Sequence, residues 1–281
     1  MNGSYKLDER LESIKAGLGA PYYESPDVLL YQGDCVELMG NLSSTVFDLT
    51  VTSPPYNIGK EYERILPLKD YVTWCGKWMS QIYELTAPLG SFWLNVGYAS
   101  VPDTGKAVPL AYMLWDQSPF YLIQEVVWNY GAGVAARRSF SPRNEKLLWY
   151  VKDREDYYFD LDSVRDPNVK YPNQKKNGKI KVNPIGKNPS DVWQIPKVTS
   201  GMNRASKERT PHPAQFPSAL IERVVKSCST ESGIVFDPFI GSGTTALVAR
   251  QNSRISVGFD LRADYLDIAI SRLENLQSPL F

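Results

Sequence analysis

Residues 233–260, GIVFDPFIGSGTTALVARQNSRISVGFD, set the tightest limit on the fold. An apolar, β-branched run (233–239) enters a glycine loop, a helix-forming stretch (244–252) follows, and a second apolar run (254–260) closes the unit. Strand, helix and strand in immediate succession make the two strands parallel neighbours, and parallel strands need helices on both faces. The same alternation runs through the rest of the chain. VLLYQGD (28–34), TVFDLTV (45–51), SFWLNVG (91–97), YLIQEVVWNYG (121–131) and EKLLWYVKD (145–153) read as strands. Residues 69–87 place Tyr71, Trp74, Trp78, Ile82 and Leu85 at three- and four-residue steps, an amphipathic helix whose aromatic stripe suits core packing. CVELMGNL, a stretch near 107–117, FPSALIERVVKSCS (216–229) and ADYLDIAISRLENL (263–276) supply further helices. The expected fold is α/β, with a doubly wound, mostly parallel sheet.

A chain of 281 residues suits one large domain of this class. No apolar run approaches the roughly 18 residues of a membrane span, and the polar N-terminus is unlike a signal peptide. Cys35, Cys75 and Cys228 lack CxxC spacing, which predicts no metal site, no disulfide framework and a cytoplasmic protein. Net charge is zero, but residues 165–209 hold 11 Lys or Arg against Asp166, Asp191 and Glu208. A neutral total thus conceals one basic segment, inside a stretch (155–211) that reads as irregular.

In FDPFIGSGTT (236–245), Gly241 and Gly243 permit a tight turn and close approach to a ligand at a helix N-terminus. No lysine follows for a nucleotide-hydrolysing loop, and the third glycine of a dinucleotide fingerprint is missing. Asp237 would repel a pyrophosphate, yet it suits a cationic ligand such as S-adenosylmethionine. The next strand ends in Asp260, where such folds bind ribose hydroxyls.

TSPPYN (52–57) ends another core strand abruptly. Together with FDPFIGSGTT it resembles the catalytic and cofactor motifs of the amino-methylating DNA methyltransferases, which modify cytosine N4 or adenine N6. YQGDCVELM, HPAQFPSALIERVV and VGFDLRADYLDIAISRL resemble further segments of that family. The order, catalytic motif before cofactor loop, matches its permuted β group. Members commonly carry Glu where this chain has Asp260.

The resemblance implies a seven-stranded, Rossmann-like methyltransferase sheet with one antiparallel strand near an edge. It implies a catalytic half (28–153), a basic target-recognition insertion (154–211) and an S-adenosylmethionine-binding half (212–281). Ser53, Pro54, Pro55 and Tyr56 become the catalytic residues. The Ser53 hydroxyl and Pro54 carbonyl would accept from the target amino group, and Tyr56 would stack on a flipped base. Asp34, Ser53, His212, Pro213, Phe216, Asp237, Pro238, Phe239, Gly241, Gly243, Thr244 and Asp260 become the cofactor site. Arg137, Arg138, Arg143, Lys175, Lys176, Lys179 and Arg204 are candidates for DNA contact. C5-cytosine methylation would need a Pro-Cys nucleophile, and Asp, Trp and Ser precede the three cysteines. Serine at the first motif position leans toward cytosine N4, with adenine N6 as the alternative and a non-catalytic nucleic-acid-binding protein as a remoter one. The implied partner is double-stranded DNA, with a separately acting restriction endonuclease and the oligomeric state left open.

Overall fold

The computed structural model describes residues 2–43, 45–61, 63–131, 133, 135–198 and 208–276, with side chains from residue 7. In chain order the elements begin α1 (Asn2–Leu18), β1 (Tyr23–Ser25), β2 (Val28–Gln32), α2 (Cys35–Gly40), β3 (Phe47–Thr52), α3 (Leu68–Leu85) and β4 (Thr86–Val96). There follow β5 (Tyr98–Val101), β6 (Gly105–Pro109), α4 (Ala111–Leu114), β7 (Tyr121–Asn129), β8 (Asn144–Val151), β9 (Lys175–Lys176), β10 (Lys179–Ile180) and β11 (Val192–Gln194). The last are α5 (Ser218–Cys228), β12 (Ile234–Asp237), α6 (Thr244–Gln251), β13 (Ile255–Asp260) and α7 (Ala263–Glu274).

Among the described residues the main sheet has nine strands in the order β1-β2-β13-β12-β3-β4-β8-β7-β11. Seven are the expected set, and β8 is antiparallel to both its neighbours, β4 and β7. The two additions are three-residue edge strands. β1 folds back on β2 through the Pro26-Asp27 turn, and β11 runs parallel to β7. Part of the stretch 154–211 thus joins the main sheet. Val192–Gln194 supply the edge strand, and Trp193 stacks on Trp93 at 5.8 Å.

Strand alternation divides the core into two faces. Phe47, Phe92, Leu94, Ile234 and Phe236 pack under α1, α2 and α3, whereas Leu49, Val51, Trp93 and Val235 pack under α5 and α6. On α3, Tyr71, Cys75, Trp78, Met79, Ile82 and Leu85 are buried at helical spacing, as the aromatic stripe predicted. Trp74 is the exception, and it turns out of the stripe toward a cleft. The helix anticipated near 107–117 shrinks to α4, because β5 and β6 form a hairpin turned at Asp103, which has φ 58°. The stretch 173–182 likewise holds a small hairpin, β9–β10, turned at Asn177-Gly178 with φ 51° and 75°.

β3 continues to β4 on one side, while β12 continues to β13 on the other. The boundary between β3 and β12 is thus the switch point of the sheet. Ligands of such sheets bind in the crevice outside the carboxyl ends of the strands there.

Candidate active site

The Ser53–Tyr56 stub leaves β3 at this switch point, and Pro54 and Pro55 have no N–H with which to extend a ladder. The glycine loop leaves β12 beside it. A cleft of about 410 Å³ opens over the two strand ends. Ser53, Pro54, Pro55 and Tyr56 line one wall. Asp34, His212, Pro213, Phe216, Pro238, Phe239, Gly241, Thr244 and Asp260 line the rest.

Two expected cofactor residues, Asp237 and Gly243, lie behind the cleft wall instead. The Asp237 carboxylate is buried and accepts from Thr52 Oγ1 at 2.5 Å, Thr245 Oγ1 at 2.7 Å and Phe239 N at 3.0 Å. Burial pushes this carboxyl up to about 6, although the three donors oppose the rise. Gly243 has φ 73°, and a Cβ there would meet Ala269 Cβ at 2.5 Å, so this glycine serves the approach of α6 to α7. Arg204 lies outside the described residues.

Asp260 braces the glycine loop. Its Oδ2 accepts from Gly241 N at 3.0 Å and its Oδ1 from Arg262 N at 2.9 Å. Burial holds the carboxyl above the ordinary aspartate value. Asp34 caps α2 by accepting from Val36 N at 2.8 Å and Glu37 N at 3.2 Å. His212 packs edge-on to Tyr265 at 4.4 Å between ring centroids. A Cβ on Gly241 would meet His212 Nε2 at 2.8 Å, so the first glycine makes room for the imidazole. His212 Nδ1 accepts from Ala214 N at 3.3 Å. Burial, followed by the charges of Arg262 and Arg272, lowers this imidazole to about 4, which keeps the ring neutral.

Tyr56 is held at both ends. Its ring lies against Gly97, where a Cβ would meet Tyr56 Cε2 at 3.0 Å. Its hydroxyl lies 2.9 Å from Ser53 Oγ and 3.1 Å from Glu145 Oε2, and accepts from Asn95 Nδ2 at 2.7 Å. Burial first, and Glu145 second, push the phenol well above its usual value.

Sequence reasoning missed Asn95, Glu145 and Trp128, and it read Lys197 only as part of a basic segment, yet all four line the cleft. The signal for Asn95 was present, since it is a polar residue at the carboxyl end of an apolar strand, as Ser53 is. Glu145 opens an antiparallel strand, which brings it to the same end of the sheet. Gln215 was also passed over. It clasps the 208–215 segment by accepting from Thr210 N at 3.0 Å and donating to Glu208 O at 2.8 Å.

The DNA-contact candidates are spread over two places. Lys175, Lys176 and Lys179 are exposed on the β9–β10 hairpin, and Arg137 and Arg138 are exposed in the β7–β8 loop. Arg143 is engaged within that loop, donating to Pro142 O at 2.8 Å and Gly133 O at 3.1 Å. No group of three or more metal-ligating side chains occurs among the described residues. No helix among them is long and apolar enough to cross a membrane.

A profile of the DNA methylase family, the N6/N4 methyltransferases, matches residues 47–271. The chain belongs to this family. It is 67% identical over 275 residues to the type II methyltransferase M.ScaI of Streptomyces caespitosus, an alignment that covers 98% of this chain and 90% of that protein. Among solved structures, the cytosine-N4-specific PvuII DNA methyltransferase shares the fold with a TM-score of 0.73 at 23% identity, over 92% of this chain and 91% of that one. The M1.HpyAVI–SAM complex matches with a TM-score of 0.57 at 22% identity, over 89% of this chain and 100% of that one. The methylase thus carries both family motifs at the carboxyl ends of adjacent strands, over one cleft.

Proposed function

We propose that the methylase is a type II, site-specific enzyme. It transfers a methyl group from S-adenosylmethionine to the exocyclic N4 amino group of a cytosine flipped out of duplex DNA. The observation that carries this reading is the stub itself. A serine hydroxyl, a proline carbonyl and a tyrosine ring are held on one strand end, beside a glycine loop, in one cleft. The serine at the first motif position and the likeness to the cytosine-N4-specific PvuII methyltransferase favour cytosine. The type II description of M.ScaI favours a modification role, with an endonuclease of the same specificity acting separately.

The cleft suits S-adenosylmethionine in size and chemistry. Its volume lies within the range of small-molecule sites. Asp34 and Asp260 supply negative charge toward a cationic ligand, and the His212 ring adds no positive charge. Asp34, His212, Phe216, Phe239, Gly241 and Asp260 are the residues that would hold it. When bound, the cofactor supplies an electrophilic methyl group on a sulfonium.

An exocyclic amino nitrogen is a poor nucleophile because its lone pair is delocalised into the ring. Acceptors on its two hydrogens, Ser53 Oγ and the Pro54 carbonyl, favour a pyramidal nitrogen with a localised lone pair. Tyr56 stacks on the extracted base and offsets part of its unstacking cost. Holding the reactants in line supplies up to roughly 7–11 kcal/mol of the barrier reduction. On this reading residues 28–153 handle the target base, 154–211 read the site and 212–281 hold the cofactor.

Adenine N6 is the second reading, because the family spans both products and adenine also presents an amino group beside a ring nitrogen. Mass spectrometry of nucleosides from DNA treated with the purified enzyme separates the two. N4-methylcytosine supports the proposal, and N6-methyladenine replaces it.

A further inference from the structure

Along the cleft, Ser53, Tyr56, Asn95, Glu145 and Lys197 form one continuous hydrogen-bonded chain. Lys197 Nζ lies 2.7 Å from Glu145 Oε1 and 3.8 Å from the centre of the Tyr130 ring. Glu145 Oε2 faces Tyr56 Oη at 3.1 Å and Asn95 Nδ2 at 3.0 Å. Asn95 Nδ2 also lies 2.7 Å from Tyr56 Oη and 3.3 Å from Ser53 Oγ. The last link, Ser53 Oγ to Tyr56 Oη at 2.9 Å, can be made by either hydroxyl as donor.

The partners decide its direction. An amide nitrogen only donates, and a carboxylate facing an ammonium only accepts. Tyr56 has two acceptors for its proton besides Ser53. They are the charged Glu145 Oε2 at 3.1 Å and the neutral Asn95 carbonyl oxygen at 3.3 Å. Bonds to a charged acceptor are roughly twice as strong as neutral ones, so the proton goes to Glu145. Tyr56 keeps that proton because burial and Glu145 both disfavour its ionised form. With it committed, the contact to Ser53 is made by the serine hydrogen, which is directed to Tyr56 Oη. One serine lone pair then faces Asn95 Nδ2 at 3.3 Å, which leaves the other for an incoming donor.

We infer that Glu145 is a positioning residue that fixes the direction of this chain, so that Ser53 meets the target amino group solely as an acceptor. The inference rests on the proposed role of Ser53 as an acceptor for that group. The consequence is chemical. A serine turned the other way would donate to the amino nitrogen and occupy the lone pair that must attack the methyl group.

Glu145→Gln tests this, because an amide at that place can donate to Tyr56 and release the chain to run in reverse. Expected is a fall in kcat of about tenfold, the loss of one hydrogen bond acting in the transition state. KM for DNA and cofactor affinity should stay within about twofold, below the effect of one such bond. Tyr56→Phe cuts the chain, so adding Glu145→Gln to that variant should cost nothing further. Tyr56→Phe alone should lower kcat with Glu145 intact, which keeps the idea testable if Glu145→Gln folds poorly. Wild-type kcat in Glu145→Gln, or an equal penalty in the Tyr56→Phe background, overturns the inference. Wild-type turnover in Ser53→Ala instead overturns the acceptor role of Ser53 and leaves the direction of the chain without catalytic consequence.

Discussion

Thr52 Oγ1 donates to Asp237 Oδ1 at 2.5 Å, across the boundary between β3 and β12. The bond ties the residue before the catalytic stub to the residue before the glycine loop. Asp237 therefore sets the distance between the two halves of the site from behind, whatever charge it presents to a cofactor. Asp237→Ala strands two threonine hydroxyls and the Phe239 N–H, each at about 1–3 kcal/mol when buried and unsatisfied. The expected outcome is a clear loss of stability, by chemical denaturation, together with weaker S-adenosylmethionine binding by calorimetry. The pH dependence has a definite sign. A carboxyl raised to about 6 takes up its proton in the folded state first, so its contribution to stability is largest below pH 4 and declines as pH rises through 6. The stability of the wild type relative to Asp237→Asn should fall by about 3 kcal/mol between pH 4 and 7. A difference independent of pH would show an ordinary carboxylate.

Tyr56 has two separable roles, a ring that faces the cleft and a hydroxyl that faces Glu145. Tyr56→Ala removes the stacking surface, worth about 1–3 kcal/mol for base on aromatic ring. It should lose most methyl transfer while cofactor affinity changes little, and a fluorescent base at the target position should report weaker flipping. Tyr56→Phe keeps the ring and should retain flipping with reduced turnover. Equal flipping signals in wild type and Tyr56→Ala would remove the stacking role.

His212 works in the opposite sense to Asp237. Its imidazole is lowered to about 4 by burial and by the nearby arginines, so the unfolded chain binds the proton first as pH falls. The stability it contributes is complete above about pH 6.5 and is lost as pH drops toward 4, by up to about 3 kcal/mol. Denaturant titrations of wild type and His212→Gln across this window should converge with falling pH. Cofactor affinity should show no break near pH 6.5 assignable to His212, since the ring is already neutral there.

The parts of the site that were legible in the sequence are those whose residue types dictate the backbone. The Pro54-Pro55 pair has no N–H with which to continue the β3 ladder, and Gly241 marks a turn with φ 47° that crowds a neighbour. Asn95, Glu145 and Lys197 carry no such local mark. They meet only because β8 runs antiparallel to β4, pairing Asn95 with Leu147, and because the chain returns beside β7 through β11. Asp237 was read from its place before a loop, which does not tell whether a carboxylate faces the cleft or the threonines behind it. The Asn177-Gly178 turn was legible in principle, as a two-residue signal flanked by short extended runs. It was submerged in a stretch whose composition reads as irregular.

That hairpin carries the last prediction. Lys175, Lys176 and Lys179 are exposed, and none of them pairs with an acid among the described residues. Other cations of the basic segment are committed, Lys187 to Asp166 at 3.1 Å and Lys197 to Glu145 at 2.7 Å. The hairpin thus gathers three cations that can meet a phosphate backbone without breaking an existing pair among the described residues. Each phosphate neutralised releases counterions, which gives a slope of about −0.9 in log K against log salt. Replacing the three lysines with alanine should flatten the slope by up to about 2.7 and weaken binding to all sequences alike. S-adenosylmethionine affinity should be unchanged, because none of the three lines the cleft. An unaltered slope would move the phosphate surface to the β7–β8 loop. There Arg137 and Arg138 are exposed, whereas Arg143 is held by backbone carbonyls, so Arg137→Ala with Arg138→Ala would then be the pair that flattens it.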